Sequence, residues 1–270
     1  MNEAVRSAAI TTGQLAVLKG SEWFSVLDAA FQQAVLGSSR VLVLATGESV
    51  FHRGDASDGI YCVLSGAVCF GAIAASGRGS IVALAEPPQW FGEIALFDGG
   101  PRTHDAWADI ASTLLHLPLR HLTRILAEDP LGWRQLGRLL VHKLRISLSL
   151  LEDMALEPPR VRLARCLVHL LEGYGQRRAA PSCSVRVSQE RLGMMLSLSR
   201  QTVNELLGHL EQESIIRCQR GGVRILDPDR LRDAARGRRE VRTTHRRELT
   251  GAQATCRTRQ QRPARSRGRR

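Results

Sequence analysis

The segment from Gly92 to Thr103 contains the groups that binding of a sugar phosphate requires. A glycine followed by a short helical turn, as at Gly92, exposes backbone N–H groups that can bind an anion. Arg102 supplies a guanidinium that can pair with a phosphate, Thr103 adds a hydroxyl donor, and Glu93 can accept hydrogen bonds from ribose hydroxyls. The same spacing is equally compatible with a surface ion pair between Glu93 and Arg102 across a turn.

A second polar segment, residues 188–207, has the features of a DNA-reading helix and of the helix that precedes it. Ser199 is a favourable N-cap, which places Arg200, Gln201 and Asn204 in the first turns of the following helix. In the major groove, arginine can pair with guanine, and glutamine or asparagine can pair with adenine. The predicted DNA-binding residues are Gln189, Ser199, Arg200, Gln201, Thr202, Asn204 and Glu205.

The residues around this segment predict a helix-turn-helix followed by a β-hairpin wing. Ser188 is a favourable N-cap for the first helix, and Gly193 permits close approach of the second. A hairpin with a Gly-Gly turn and several arginines follows in residues 215–226. Any helical hairpin with exposed arginines shares part of this pattern, but the added wing favours a DNA-binding module. The apolar positions that would hold the two helices together are Leu192, Leu196, Leu198, Val203 and Leu206.

The sugar-phosphate segment lies within a region, residues 40–126, that has the pattern of many short strands. Apolar runs alternate with glycine-containing turns, most clearly where Ser65-Gly66 closes the run Ile60–Leu64. This spacing predicts a β-roll or barrel that would position Glu93 and Arg102. A short helical segment, residues 14–36, precedes it.

Residues 131–156 predict one long helix, which ends at Pro158-Pro159 because proline lacks the N–H and restricts its predecessor. Its apolar spacing is that of an a/d heptad seam of about three repeats, the lower limit for a coiled coil, and predicts a homodimer through this helix; the alternative is a core helix packed on its own domain. Neighbouring leucines at 136, 139, 148 and 150 widen the apolar face, so both packings can coexist. The heptad seam consists of Trp133, Gly137, Leu140, Leu144, Ser147, Leu151 and Met154.

The net charge of +12 comes almost entirely from the end of the chain, because residues 232–270 contain 14 arginines and 3 acidic residues. This composition predicts a disordered tail that contacts phosphates without sequence preference. No apolar run approaches the roughly 18 residues of a membrane span, and Met1–Arg6 does not resemble the start of an export signal. We therefore expect a cytoplasmic protein.

Chemistry of other kinds has little support in the sequence. The six cysteines form no C-x-x-C pair and no His cluster accompanies them, so we expect free thiols and no metal site. Because no nucleophile–base pair or Walker-type loop is recognisable, we expect no enzyme activity.

Residues 40–228 resemble the Crp–Fnr family of transcription regulators. "FGEIALFDGGPRT" is similar to the phosphate-binding cassette of cyclic-nucleotide-binding domains, and "LSRQTVNELLGHLEQESIIR" and "ILDPDRL" are similar to the DNA-binding half of that family. The resemblance implies a homodimer with a nucleotide pocket in each β-roll, a double-stranded DNA operator, RNA polymerase as a further partner, and cAMP or cGMP as effector. It implies that Gly92 and Glu93 bind the ribose, Arg102 and Thr103 the cyclic phosphate, and Ser147 the purine. The base-reading positions would be Arg200, Gln201 and Glu205.

The expected fold class is α+β, with an N-terminal β-roll of the cyclic-nucleotide-binding type, a long dimerisation helix and a C-terminal winged helix-turn-helix. The expected boundaries are 1–130 for the sensor domain, 131–157 for the dimerisation helix, 158–231 for the DNA-binding domain and 232–270 for the tail. A nucleotide-binding module of an enzyme or channel is disfavoured by the helix-turn-helix. The absence of cysteine from residues 1–61 argues against the oxygen-sensing branch of the family.

Three departures from the family pattern leave the effector open. His104-Asp105 replaces small and β-branched residues, and an inward-pointing carboxylate would weaken anion binding. Leu148 replaces a helix hydroxyl found in cAMP binders, and Glu205 stands where many members have a basic residue. The alternative is therefore a DNA-binding regulator whose degenerate pocket binds no cyclic nucleotide. In an empty pocket we expect Glu93 to offset part of the charge of Arg102.

Overall fold

The computed structural model describes residues 10–73, 79–173 and 183–237. Residues up to Ala235 belong to one unit, and a second unit begins at Arg236. The predicted tail lies outside the described residues beyond position 237. Within the described ranges, no helix combines the length and the apolar character needed to cross a membrane.

Three short helices lead into the sheet: α1 (Thr12–Lys19), α2 (Glu22–Ser25) and α3 (Ala29–Ser38). Each begins at a side chain that accepts a hydrogen bond from a backbone N–H three residues later, namely Thr11, Ser21 and Asp28. Their apolar faces are buried in the same core as Trp90 and the first turns of the long helix. The predicted helical lead-in is confirmed, and it closes one side of the β-roll.

The β-roll is a six-stranded sheet with the order β1-β6-β3-β4, in which β2 pairs with β6 and β5 pairs with β3. All the pairings are antiparallel. Gly66 has φ +84°, and a Cβ there would lie 2.2 Å from the Ser112 hydroxyl, so this turn requires glycine. The strands are β1 (Arg40–Leu44), β2 (Ser49–Phe51), β3 (Gly59–Ile73), β4 (Gly79–Ala85), β5 (Trp90–Phe91) and β6 (Asp105–Pro118).

Three helices follow or interrupt the roll: α4 (Ile94–Asp98), α5 (Leu119–Glu128) and α6 (Leu131–Leu156). The long helix α6 buries Leu136 and Leu139 in its own domain. Further along α6, several large apolar side chains are exposed, which are Val141, Leu144, Leu148, Leu151 and Met154. The helix therefore packs internally through Leu136 and Leu139, while these other apolar side chains stay largely exposed within the described chain.

The C-terminal half contains α7 (Pro159–Leu171), β7 (Ser184–Val185), α8 (Gln189–Leu196), α9 (Arg200–Gln212), β8 (Ile216–Gln219), β9 (Gly222–Ile225) and α10 (Pro228–Arg236). Ser188 and Ser199 cap α8 and α9 as predicted. A Cβ on Gly193 would lie 2.8 Å from the Leu198 carbonyl oxygen, which explains the need for glycine between these helices. The last helix passes the expected boundary at residue 231 by five residues, because Leu231 and Ala235 are both buried.

The two halves of this unit share a core, since α8 packs against β4. At their contact, the guanidinium of Arg191 on α8 forms an ion pair with Asp109 on β6, whose side chain is 5% exposed. The Cys69 thiol also donates to the Asp109 carboxylate at 3.4 Å. Burial and the neighbouring Asp109 raise the pKa of Cys69 to about 12, so this thiol stays protonated.

We expect the Arg191–Asp109 pair to stabilise the contact between the two halves. In a double-mutant cycle of Arg191→Met and Asp109→Asn, urea unfolding should give a coupling energy of roughly 1–3 kcal/mol, because each single variant leaves a partly buried group unpaired. The exposed pair Arg160–Glu213 is a matched control and should give less than about 1 kcal/mol. Equal coupling energies for the two pairs would contradict a stabilising role.

Candidate functional site

A cavity of about 300 Å³ lies between the β-roll and α6. All five residues predicted to bind a ligand line it: Gly92, Glu93, Arg102, Thr103 and Ser147. Four of them come from the segment between β5 and β6, and Ser147 comes from α6. The remaining wall is largely apolar and includes Phe51, Phe70, Val82, Leu140 and Leu144. The cavity thus combines polar groups with apolar surface, as small-molecule sites commonly do.

Arg102 is almost completely buried and is held by three hydrogen bonds within the protein. Its Nη2 donates to Asp58 Oδ1 at 2.6 Å and to the Gly59 carbonyl at 2.8 Å, and its Nη1 donates to the Gly92 carbonyl at 2.9 Å. The guanidinium also lies 4.3 Å from the ring centroid of Phe51. These contacts fix the guanidinium beside the Gly92 backbone, where an anion could meet both.

Asp58, and not Glu93, offsets the charge of Arg102. Our expectation for Glu93 was wrong because the chain brings Asp58, 44 positions earlier, into direct contact with the guanidinium. Although burial raises the pKa of Asp58, hydrogen bonds from Tyr61 and Arg102 outweigh it and hold that pKa below the ordinary value. Asp58 is therefore ionised near neutral pH and balances the buried cation.

A group of side chains behind Asp58 holds it in place. The Tyr61 hydroxyl donates to Asp58 Oδ2 at 2.5 Å, and the Tyr61 ring stacks on the buried ring of His116 with centroids 4.4 Å apart. Arg40 Nε donates to His116 Nδ1 at 3.0 Å, so His116 carries its proton on Nε2, which faces the Asp58 carbonyl at 3.2 Å. Burial is the main reason that the pKa of His116 is lowered to about 4, and this ring stays neutral at neutral pH.

Glu93 is paired with Lys143 of α6, a residue that we did not predict from the sequence. Lys143 Nζ donates to the two Glu93 carboxylate oxygens at 2.8 and 2.9 Å and to the Trp90 carbonyl at 2.7 Å. Glu93 has 2% exposure, so a partner of opposite charge is physically required. Lys143 is one of only two lysines in the chain and precedes Ser147 by one helical turn, which was the available sequence signal.

The two residues after Thr103 point in different directions. His104 lines the cavity, and its Nδ1 lies 3.0 Å from the Thr103 hydroxyl. Asp105 is not part of the cavity wall, and its carboxylate accepts the Arg53 backbone N–H at 2.8 Å and lies 3.7 Å from His52 Nδ1. The inward carboxylate that would weaken anion binding is therefore not present at this position.

Five of the seven predicted DNA-reading residues are exposed, at the N-cap and in the first two turns of α9. Arg200, Gln201, Asn204 and Glu205 are exposed, whereas Thr202 is half-buried beside the cap. Ser199 accepts the Thr202 backbone N–H at 3.0 Å. Side-chain hydrogen bonds of 3.0 Å join Gln201 to Glu205 and Gln189 to Asn204. The second of these bonds places Gln189 of α8 beside α9.

The wing supplies positive charge next to this surface. Strands β8 and β9 pair in antiparallel register, and Gly221, with φ +78°, forms their turn together with Arg220. The predicted Gly-Gly turn is thus shifted by one residue, since Gly222 already belongs to β9. Arg217 and Arg224 are exposed partners in the register of the two strands. Such side chains favour contact with phosphates.

Comparison with known proteins agrees with both halves. The family model of the cyclic nucleotide-binding domain matches residues 41–129, and the Crp-like helix-turn-helix domain matches residues 161–234. The chain is 31% identical over 191 residues to a CRP-like cAMP-activated global transcriptional regulator of Mycobacterium tuberculosis, and the match covers 70% of this chain and 85% of that protein. It is 29% identical over 221 residues to the cyclic AMP receptor protein of Thermus thermophilus, covering 82% and 99%.

Solved structures show the same fold. A transcriptional regulator of the CRP/FNR family from Thermus thermophilus superposes with a TM-score of 0.58 at 26% identity, covering 73% of this chain and 99% of that chain. FixK2 from Bradyrhizobium japonicum gives a TM-score of 0.63 at 20% identity, covering 73% and 96%. A β-roll with a nucleotide-type cassette, a long helix and a winged helix-turn-helix define a DNA-binding transcription regulator. This chain belongs to the Crp–Fnr family.

Proposed function

We propose that this regulator binds a cyclic nucleotide, cAMP or cGMP, or a related small anion in the cavity, and that the ligand changes its affinity for an operator. The observation that carries this proposal is the convergence of Gly92, Glu93, Arg102 and Thr103 on one cavity with Ser147. Because Ser147 belongs to α6, a ligand there contacts the β-roll and the long helix together. A ligand can shift the equilibrium between two conformations of the protein only by the difference in its affinity for them. Typical coupling of this kind corresponds to roughly a 5–150-fold change in operator affinity.

The same proposal includes a homodimer joined along α6. The exposed apolar side chains of α6 support it. Leu151 is 64% exposed and Leu148 is 58% exposed, and leaving large apolar side chains together in water is unfavourable. Two copies would place their recognition helices, the α9 helix of each copy, on half-sites about 34–36 Å apart. We further propose that the protein acts in the cytoplasm, where its DNA lies, and that it contacts RNA polymerase there. We propose no enzyme activity for it.

A second possibility is the regulator whose pocket binds no cyclic nucleotide. The observation that favours it is the internal pairing of both pocket cations, Arg102 with Asp58 and Lys143 with Glu93. A phosphate would then meet no unbalanced positive charge, and its binding would depend on hydrogen-bond geometry alone.

Calorimetry distinguishes the two possibilities. The full chain should be titrated with cAMP and with cGMP, and a duplex selected in vitro with the same protein should then be titrated with and without each nucleotide. Binding together with a change of at least fivefold in duplex affinity supports gating. No heat up to millimolar nucleotide, with unchanged duplex affinity, supports the ligand-independent regulator.

Specific DNA recognition through Arg200 gives a separate prediction. Arg200→Ala should weaken binding to the selected duplex by about 1–3 kcal/mol and relax specificity at one base pair in each half-site, because a bidentate contact to guanine is lost. Competition with single-base variants of the duplex measures this. Arg217→Ala in the wing is the control and should weaken all duplexes alike. A uniform loss for Arg200→Ala would assign it to phosphate instead.

A further inference from the structure

His104 stands inside the pocket at a position that the cassette usually gives to a small residue. Its ring lines the same cavity as Arg102 and Thr103, and its Nδ1 is 3.0 Å from the Thr103 hydroxyl. Its neighbour Asp105 is held on the other side by the Arg53 backbone. The imidazole therefore borders the part of the cavity in which the proposed phosphate would meet Thr103, and the Asp105 carboxylate does not share that wall.

The charges already in the cavity give this imidazole a specific role. Arg102 is matched by Asp58, and Lys143 is matched by Glu93. A phosphodiester brings one further negative charge, which neither matched pair neutralises. Imidazole is the side chain that can gain a proton at little cost near neutral pH.

We propose that the imidazole of His104 is a third phosphate-binding group of this pocket, and that it takes up a proton when the anion binds. This inference rests on the proposed binding of a cyclic nucleotide. It adds a regulatory property, since effector affinity then rises as the pH falls.

The surroundings of His104 set the pH range. Burial and the nearby Arg53 lower the pKa of His104 below its ordinary value of 6.5, and the Asp105 carboxylate acts in the opposite direction. Arg102 and Lys143 also line the cavity, each beside its carboxylate partner, Asp58 or Glu93. The free pocket therefore holds a neutral ring at pH 7, and a bound phosphate raises the pKa of that ring.

The sign of the pH dependence follows from these two states. The ring takes up a proton only in the interval between its lower pKa in the free pocket and its higher pKa in the complex. Affinity should therefore increase as the pH falls from 8 to 6. If the phosphate raises the pKa by one unit, the full gain of about tenfold is reached only below the pKa of the free ring, so the gain between pH 8 and pH 6 is several-fold. His116, whose pKa is about 4, remains neutral over this range and cannot produce the effect.

The test is calorimetry of the full chain with cAMP and cGMP at pH 6, 7 and 8. The parent should bind several-fold more tightly at pH 6 than at pH 8, and should take up a fraction of a proton when measured in two buffers of different ionisation enthalpy. His104→Gln keeps a hydrogen-bonding side chain but cannot be protonated, and its affinity should not change with pH. His52→Gln, an exposed histidine outside the cavity, should behave like the parent.

Each outcome has one meaning. Binding that is independent of pH in the parent overturns the role of His104 and leaves the proposed effector intact. A pH dependence that persists in His104→Gln also overturns it. If His104→Gln lowers affinity equally at all three pH values, the ring only positions the Thr103 hydroxyl. If neither nucleotide binds at any pH, the proposed effector fails, and the inference fails with it.

Discussion

Leu151→Asp should convert the proposed dimer to a monomer. Leu151 is 64% exposed in the single chain, lies on the predicted seam of α6 and is not part of the cavity wall. A twofold axis would bury it twice, at roughly 1.5–3 kcal/mol per leucine, and the variant would also bury two carboxylates. A loss of at least about 4 kcal/mol corresponds to roughly a thousandfold weaker dimer.

Sedimentation equilibrium over a range of concentrations measures this change directly. Ser149→Asp introduces the same charge on an exposed position of α6 outside the seam and should leave the dimer intact. Leu144 is a less suitable position, because it lines the cavity as well as the seam. If Leu151→Asp and the parent have the same mass at every concentration, the seam is assigned to the wrong face.

Leu151→Asp also tests whether DNA binding depends on two recognition helices acting together. A monomer has one recognition helix, so it should retain affinity for a single half-site and lose the gain that comes from a second half-site about one helical turn away. Circular dichroism and the heat of cAMP binding would show whether the β-roll is still folded. Dimerisation and DNA reading are thereby separated from effector binding.

Local signals explain why the DNA-binding half was predictable from the sequence. Ser188 and Ser199 act as N-caps through contacts only three residues away, and Pro158 ends the long helix through its own backbone. The last helix extends beyond the expected boundary because the burial of Leu231 and Ala235 depends on tertiary packing. Composition alone, which becomes arginine-rich from Arg232, could not indicate that packing.

In the pocket, the residues of one segment could be predicted from the sequence, but their partners on distant elements could not. Gly92, Glu93, Arg102 and Thr103 lie within one segment, so their types and spacing indicated a common site. Their partners come from distant elements, with Asp58 44 positions from Arg102 and Lys143 50 positions from Glu93. Sequence spacing carries no information on such contacts, although the burial of a charged residue requires that some partner exist.

Arg102→Ala should abolish the response to cyclic nucleotide. Two guanidinium N–H groups are not used by the three internal hydrogen bonds: one on Nη1, and the one on Nε, which has no partner among the described residues. Charged hydrogen bonds to a phosphate contribute about 1.5–3 kcal/mol each. We therefore expect nucleotide affinity to fall at least about 100-fold, with no remaining effect of nucleotide on duplex binding. Dimerisation should be unchanged, because no contact of Arg102 involves the exposed face of α6.

Arg102 also stabilises the fold, so its removal needs two companion variants. Without it, Asp58 keeps the hydrogen bond from Tyr61 but loses its matching charge, and the free energy of unfolding should fall by roughly 2–4 kcal/mol. Arg102→Lys keeps the charge and loses the planar fork, so it should weaken nucleotide binding with a smaller loss of stability. Asp58→Asn removes the competing carboxylate and should strengthen nucleotide binding, because the guanidinium then has an unmatched charge for the phosphate.

The three variants together distinguish a regulator that is gated by a cyclic nucleotide from one whose pocket binds no cyclic nucleotide. In a gated protein, nucleotide affinity should rise in Asp58→Asn, fall in Arg102→Lys and vanish in Arg102→Ala, while duplex binding without nucleotide stays constant. In a protein with a degenerate pocket, the three variants should differ from the parent in thermal stability only, and their promoter responses should be the same. The pairing of Arg102 with Asp58 would then be purely structural, a partly buried ion pair at the β-roll beside Gly92.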